Sequence, residues 1–436
     1  MSGDCRRCGA PSSPAGRPAA CAACLVPARP GAVGAPVAAA SWLVAAGRGK
    51  PGADLGTLLR SYRHASALTQ QQLADLLGFD RTYISMIECG RRSVTDRGTL
   101  AHIATTLAMP PHILGIAAHD DADFTSMLAF GTSVVRLADV ARHSGRAAEA
   151  VSELWPLITR LEARVFAGQA ETEMMRLLAQ ARVSLGVALG HLLPEERLAT
   201  AARWTGRALQ IAWDLGDREL LAFVLRMHGN ELRKAGYAAA GIVRLRQSLQ
   251  IDDQPARKGA GLVLLARAAA ESGQAELFDA VAGQCIHALK SAPRQGVLFN
   301  AFTVREVRLR GLLATGQITQ AVDLAENFVA GDGPPTPQWR IIERITAADV
   351  LARAGNEQSA ASMLSAAAAD AETLRLPHQI QRIIRLTRPP SVLTWQPVRE
   401  QALAALTRLD RLLADTASVS QTSGQRPPMS SLQTSG

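Results

Sequence analysis

The chain has 436 residues, room for two or three domains, and carries a formal net charge of +9 with a pI near 9.8, which suits a phosphate-bearing partner although the charge is spread along the whole length. The hydrophobic share is 47% but only 4% is aromatic; alanine and leucine carry most of it, which favours helices packed through small residues. No run is long and apolar enough for a membrane span, and no apolar run follows a short basic start, so neither a membrane span nor a signal peptide is expected and the cytoplasm is the default compartment.

Lysine occurs only at positions 50, 234, 258 and 290, so 43 of the 47 basic residues are arginine. With abundant alanine and glycine, that skew points to a high-GC genome such as that of an actinobacterium.

The first predicted element, residues 1–30, is a cysteine cluster. CRRCGAPSSPAGRPAACAAC gives Cys5-x2-Cys8, twelve intervening residues, then Cys21-x2-Cys24. Two such knuckles can place four thiolates tetrahedrally around one structural Zn. Cys8-Gly9 favours the tight turn of one knuckle, whereas Leu25 follows Cys24 in the other, and the loop is too poor in apolar residues to fold without metal. Free thiols on a basic arm, or a redox-sensing disulfide, are the alternatives. Arg6, Arg7, Arg17 and Arg29 outnumber Asp4, so the arm also suits a DNA backbone. Residues 31–52 follow as a linker: Gly31 to Gly47 is uncharged, but it is rich in alanine and glycine and contains Pro36.

Leu68 to Ser93 then reads as two short helices crossing at a tight corner. Thr69 caps the first, and Gln72 reaches back to it in a capping box. Gly78 follows Leu77 where a left-handed backbone ends a helix at no steric cost. Asp80 caps the second helix and suits its positive end. Leu73 and Leu77 lie one turn apart, as do Ile84 and Ile87, and Ala74 is small enough for a close crossing. Arg81, Thr82 and Ser85 remain outward at the start of the second helix. Arg81 can donate two parallel hydrogen bonds to guanine O6 and N7, while Thr82 and Ser85 can reach a base edge, a thymine methyl or a phosphate. Gln70, Tyr83, Arg91, Arg92 and Arg97 flank this face and suit phosphates, which fix register without reading sequence. A plain helical hairpin with a solvated arginine face is the alternative.

Three segments, LTQQQLADLLG, DRTYISMIECGRR and TLAHIATTLAMPPHILGI, resemble the Cro/C1-type (XRE) helix-turn-helix family over about Leu55 to Ile116. The resemblance implies a compact five-helix, lambda-repressor-like domain, here 53–118, that acts as a dimer on double-stranded DNA with half-sites about one helical turn apart. It also implies that Gln70 touches a phosphate and braces the recognition helix, and that Arg63 pairs with Glu88. Cys89 stands where a polar residue is more usual.

His119, Asp120, Asp121 and Asp123 are bunched without a distant partner, which marks a linker (119–128) rather than a metal site. Beyond it, Gly145, Gly236, Gly273, Gly316 and Gly355 each follow a helical stretch, and five residues later come Ala150, Gly241, Phe278, Ala321 and Ala360. A glycine turn followed by a small residue lets two helices of a hairpin cross closely. The gaps from Gly236 onward are 37, 43 and 39 residues, the range of stacked helix pairs. A further unit is expected with its turn near Leu192-Leu193-Pro194 and its second helix over Leu198 to Asp214. The region, 129–412, resembles tetratricopeptide repeats in degenerate form, with aliphatic residues at most aromatic positions and longer spacing. That implies a superhelical stack whose first helices line a concave groove for a peptide or protein. Arg226, Asn230, Lys234, Arg267, Asn300, Arg305 and Arg308 are the groove candidates; an irregular bundle that only holds a dimer together is the alternative. The segment 413–436, poor in apolar residues, reads as a disordered tail.

No phosphate loop, HExxH pair or dinucleotide turn occurs, so no enzymatic activity is expected. The fold class is all-α: a zinc-ribbon-like segment, a five-helix DNA-binding domain and a TPR-like α-solenoid. The function expected is that of a DNA-binding transcriptional regulator, nucleoid-associated and homodimeric, with a repeat domain that dimerises or senses a peptide or protein. The competing reading is a scaffold that sequesters another regulator and binds DNA weakly.

Overall fold

The computed structural model describes residues 54–65, 68–107, 109, 114, 124–166, 170–291, 296–326, 336–388 and 393–422. Among them the regular structure is helical apart from one isolated bridge between Gly296 and Phe299. The chain separates at Ala117/Ala118 and again at Leu409/Asp410 into two compact units, described in turn.

In the smaller unit α1 (Leu55–Ala65), α2 (Gln70–Leu77), α3 (Arg81–Glu88) and α4 (Arg97–Thr106) surround one core. The fifth helix expected from the sequence lies outside the described residues. Leu58, Leu59, Leu73, Ala74, Leu77, Ile84, Ile87 and Ile103 are buried, at roughly 1.5–3 kcal/mol for each large side chain removed from water. The ends of α2 follow local chemistry. Thr69 Oγ1 accepts from Gln72 N at 3.2 Å, Thr69 N donates to Gln72 Oε1 at 2.9 Å, and Gly78 closes the helix at φ 67°. Asp80 Oδ1 accepts from Thr82 N at 2.6 Å to open α3, and Asp96 accepts from Thr99 N at 2.7 Å to open α4.

The larger unit is a stack of helix pairs. They are α5 (Phe124–His143) with α6 (Ala147–Phe166), α7 (Thr172–Leu192) with α8 (Leu198–Leu215), and α9 (Arg218–Lys234) with α10 (Ala238–Ile251). Next come α11 (Pro255–Glu271) with α12 (Ala275–Ser291), α13 (Ala301–Ala314) with α14 (Ile318–Glu326), α15 (Pro337–Arg353) with α16 (Glu357–Thr373), and α17 (Pro377–Leu386) with α18 (Gln396–Thr422). Gly145, Gly236, Gly273, Gly316 and Gly355 end the first helices of five pairs at φ between 72° and 85°. The turn between α7 and α8 instead runs through Pro194 and a short 3-10 segment, Glu195–Arg197. Ala150, Gly241, Ala321 and Ala360 are buried where paired helices cross. Phe278 is large for the same position, and a glycine opposite makes room: a Cβ at Gly311 would lie 2.0 Å from the Phe278 ring.

Successive first helices pack side by side, and the last of them, α17, returns against α7. Gln381 Oε1 accepts from Glu195 N at 2.8 Å, Gln381 Nε2 donates to Glu196 at 2.9 Å, and Arg385 pairs with Glu195. Gln338 Nε2 of α15 donates to Arg142 O of α5 at 2.6 Å. Contacts between residues nearly 200 positions apart thus bring the last first helices back against the earliest ones, and the first helices line a partly open hollow. Helix α5 is described from Phe124, inside the stretch read as linker. Helix α18 continues to Thr422, past the expected start of the tail, since no glycine or proline interrupts it before Gly424.

Candidate functional site

The outward face of α3 begins at its capped N-terminus. Arg81 and Thr82 are exposed, and Ser85, one turn further on, is half-buried. Thr82 N donates to Asp80, whose carboxyl is held below its usual range by hydrogen bonding from Thr82. Tyr83 packs edge-on against Phe79 at 5.1 Å between ring centres, and the Arg92 guanidinium lies 4.6 Å above the Tyr83 ring. This stack fixes Arg92 beside α3. Arg91 is exposed after the Gly90 turn (φ 71°), and Arg97 is exposed at the first position of α4.

Beneath that face a buried carboxylate ties three helices together. Glu88, only 3% exposed at the end of α3, receives Arg63 Nε at 2.7 Å and Nη2 at 3.0 Å, and Gln70 Nε2 at 2.9 Å. Burial works to raise the Glu88 carboxyl. The hydrogen bonds from Arg63 and Gln70 and the charges of Arg63 and Arg60 overcome this and hold it below the usual carboxylate range. Gln70 makes the bracing contact expected of it, one amide N–H donating to Glu88, and its amide carries a second N–H. Sequence reading missed two members of this joint. Arg60 donates to the Glu88 carbonyl, and Gly56 lies so close to α3 that a Cβ there would sit 2.1 Å from Ile87 O. A glycine at the start of an amphipathic helix was the available signal.

In the repeat unit all seven first helices among the described residues contribute to one cavity of about 570 Å³. It receives Asn230, Lys234 and Arg267 of the predicted groove residues, and not the rest. Asn300 caps α13, accepting from Thr303 N at 2.9 Å, because an asparagine one residue before a helix bonds its first turn. Arg305 pairs with Glu343 at 3.6 Å, and Arg226 is buried against Asp252 at 2.9 Å on an adjoining hollow. Arg308 is half-buried on α13 and does not line the cavity. Lys234 is gripped by Glu231 at 2.9 Å, and Asn230 uses its donor on Glu231 and its acceptor on Arg233, so neither has a free peptide-gripping edge.

Several cavity residues were not foreseen. Arg233 and Arg310 both bind Glu271, at 2.7 and 3.0 Å; although burial opposes ionisation, they hold its carboxyl down to about 2. Burial, then the charges of Arg233 and Arg310, push Arg267 down to about 9, and burial does the same to Arg382, so both remain charged at neutral pH. His143 and His378 are driven by burial to about 4 and about 3 and are neutral there. Arg233, Arg310 and Arg382 escaped notice because each, taken singly on an amphipathic helix, looks like a solvated face.

Cys5, Cys8, Cys21 and Cys24 lie outside the described residues, as do His119 and its aspartates. Among the described residues no group of three or more His, Cys, Asp and Glu could hold a metal ion, Cys89 is exposed and Cys285 buried. No helix among them is long and apolar enough to cross a membrane.

No curated protein matches the chain. Two solved structures align over much of it: the TPR domain of P58(IPK), at 12% identity over 64% of this chain and 98% of that one with a TM-score of 0.18, and a circular tandem repeat protein of novel repeat topology, at 16% identity over 90% and 88% with a TM-score of 0.20. At such scores the repeat architecture rests on the helix pairing itself. Residues 54–113 match the family described as a helix-turn-helix domain, so the chain carries such a domain, followed by a TPR-like helical repeat region.

Proposed function

We propose that the chain is a sequence-specific, DNA-binding transcriptional regulator of the Cro/C1 type, without enzymatic activity, acting in the cytoplasm on the nucleoid. The observation that carries this reading is α3 itself: capped by Asp80, locked from below through Glu88, and presenting Arg81 at the end that enters a major groove in this motif. Arg81, Thr82 and Ser85 read bases; Tyr83, Arg91, Arg92 and Arg97 hold phosphates.

The regulator works as a homodimer on an inverted repeat. Phe130, Leu137 and Val140 support a dimer contact through the repeat region, since they are exposed at 67%, 61% and 53% on α5, seven and three residues apart. The repeat region receives the signal, and control requires a partner or ligand that prefers one arrangement of the two DNA heads. Cys5, Cys8, Cys21 and Cys24 hold a structural zinc.

Binding of the full chain to a selected duplex tests the proposal. Arg81→Ala should lose about 1–3 kcal/mol and relax preference at one base pair, whereas Arg91→Ala should weaken binding to all sequences and flatten its salt dependence. An unchanged preference after Arg81→Ala removes the base-reading role.

A further inference from the structure

The cavity at the centre of the repeat unit holds more positive charge than its own carboxylates balance. Arg142 pairs with Asp139, Lys234 with Glu231 and Arg385 with Glu195, which leaves four guanidinium groups. Arg233 and Arg310 share Glu271. Arg382 binds neutral oxygens, Thr346 Oγ1 at 2.9 Å and Ile342 O at 3.4 Å. Arg267 is 9% exposed, its Nε has no hydrogen-bond partner, and its guanidinium lies 5.4 Å from the Trp339 ring centre. Of the other carboxylates nearby, Asp349 pairs with Arg353 at 2.8 Å and Glu306 accepts from Thr346 Oγ1 at 2.9 Å. Three buried guanidinium groups and the half-buried Arg310 thus face Glu271 and Glu306, and an uncompensated charge at such depth is costly unless something pairs with it. The volume of about 570 Å³ is that of a small-molecule site, and the walls mix Trp339, Leu264 and Ile342 with the arginines.

We propose that this cavity binds a small organic dianion, a phosphate monoester or a dicarboxylate on an apolar body, with the head between Arg267 and Arg382 and the body against Trp339. Planar guanidinium groups donate paired hydrogen bonds to either head, and two negative charges cancel the excess. The site deepens the sensing half of the proposed function, and titration of ligand alone is blind to DNA, so the two readings fail separately.

Calorimetric titration of the full chain with 1-naphthyl phosphate, naphthalene-2,3-dicarboxylate and neutral 1-naphthol provides the test. At least one dianion should bind saturably at moderate ionic strength, and the neutral probe at least roughly tenfold more weakly. Which dianion binds assigns the head. Arg267→Met and Arg382→Met should each weaken binding roughly tenfold or more, while the exposed Arg146→Ala should not. Should a methionine variant fail to fold, Arg267→Lys, which keeps the charge and loses the planar fork, must still bind more weakly. Binding by neither dianion, equal binding of 1-naphthol, or indifference to these variants overturns the site.

Discussion

Glu88 shows how one side chain joins stability to recognition. It is buried, yet Arg63, Gln70 and Arg60 converge on it from two other helices, so the tilt of α3 depends on a charge that must stay ionised. Arg63→Met leaves that carboxylate without its ion-pair partner and should cost about 3 kcal/mol, read from chemical denaturation. The pH dependence follows from the lowered Glu88 value. Its contribution is complete above the unfolded carboxyl value of about 4.3 and is lost as the pH falls through the lower folded value. The margin of the wild type over Glu88→Gln in thermal melts should therefore be constant near neutrality and close below about pH 4. A margin unchanged in acid would mean the pair is not what holds the joint.

At the scale of elements, helix ends were legible because their chemistry is local. Thr69 with Gln72, Gly78, Asp80 and the repeat glycines each act within four residues of their own position, and all are found at helix ends. Helix crossings were legible only in part. Ala150, Ala321 and Ala360 follow the small-residue pattern, but Phe278 breaks it, and its compensation by Gly311 lies on a different repeat. Gly311→Ala should destabilise the repeat unit by about 1–3 kcal/mol through overpacking, and a smaller side chain, Phe278→Leu, should recover much of that loss. A double-mutant cycle with no coupling would show that the ring and the glycine do not share that space.

At the scale of the whole molecule, two expectations concern assembly and metal. Phe130→Asp with Leu137→Asp should convert a dimer to a monomer in light scattering and weaken binding to the two-half-site operator more than to a single half-site. Metal analysis of the purified chain should find about one zinc per chain, lost in Cys5→Ser; a metal-free wild type ends the zinc reading. Closure of the repeat stack has its own test. Gln381→Ala with Arg385→Ala removes the contacts from α17 to the turn after α7, and amide exchange should accelerate in α17 while the first pairs keep their protection.

By itself the sequence determined the all-helical class, the place of the second helix of the helix-turn-helix, its caps and its turn, and the rhythm of the repeats. These depend on spacing, on glycine at positive φ and on side chains that bond the nearest backbone. The Arg63 and Glu88 pairing came from family resemblance rather than from spacing. Only the tertiary structure decided that the repeat stack folds back on itself, that Asn300 is a cap, and that Arg267 and Arg382 share an interior with Arg233 and Arg310. Each of these depends on partners tens to nearly 200 residues away or on a choice between solvent and interior. A pattern read along the chain cannot tell a solvated arginine from a buried one, because the helical period is the same for both.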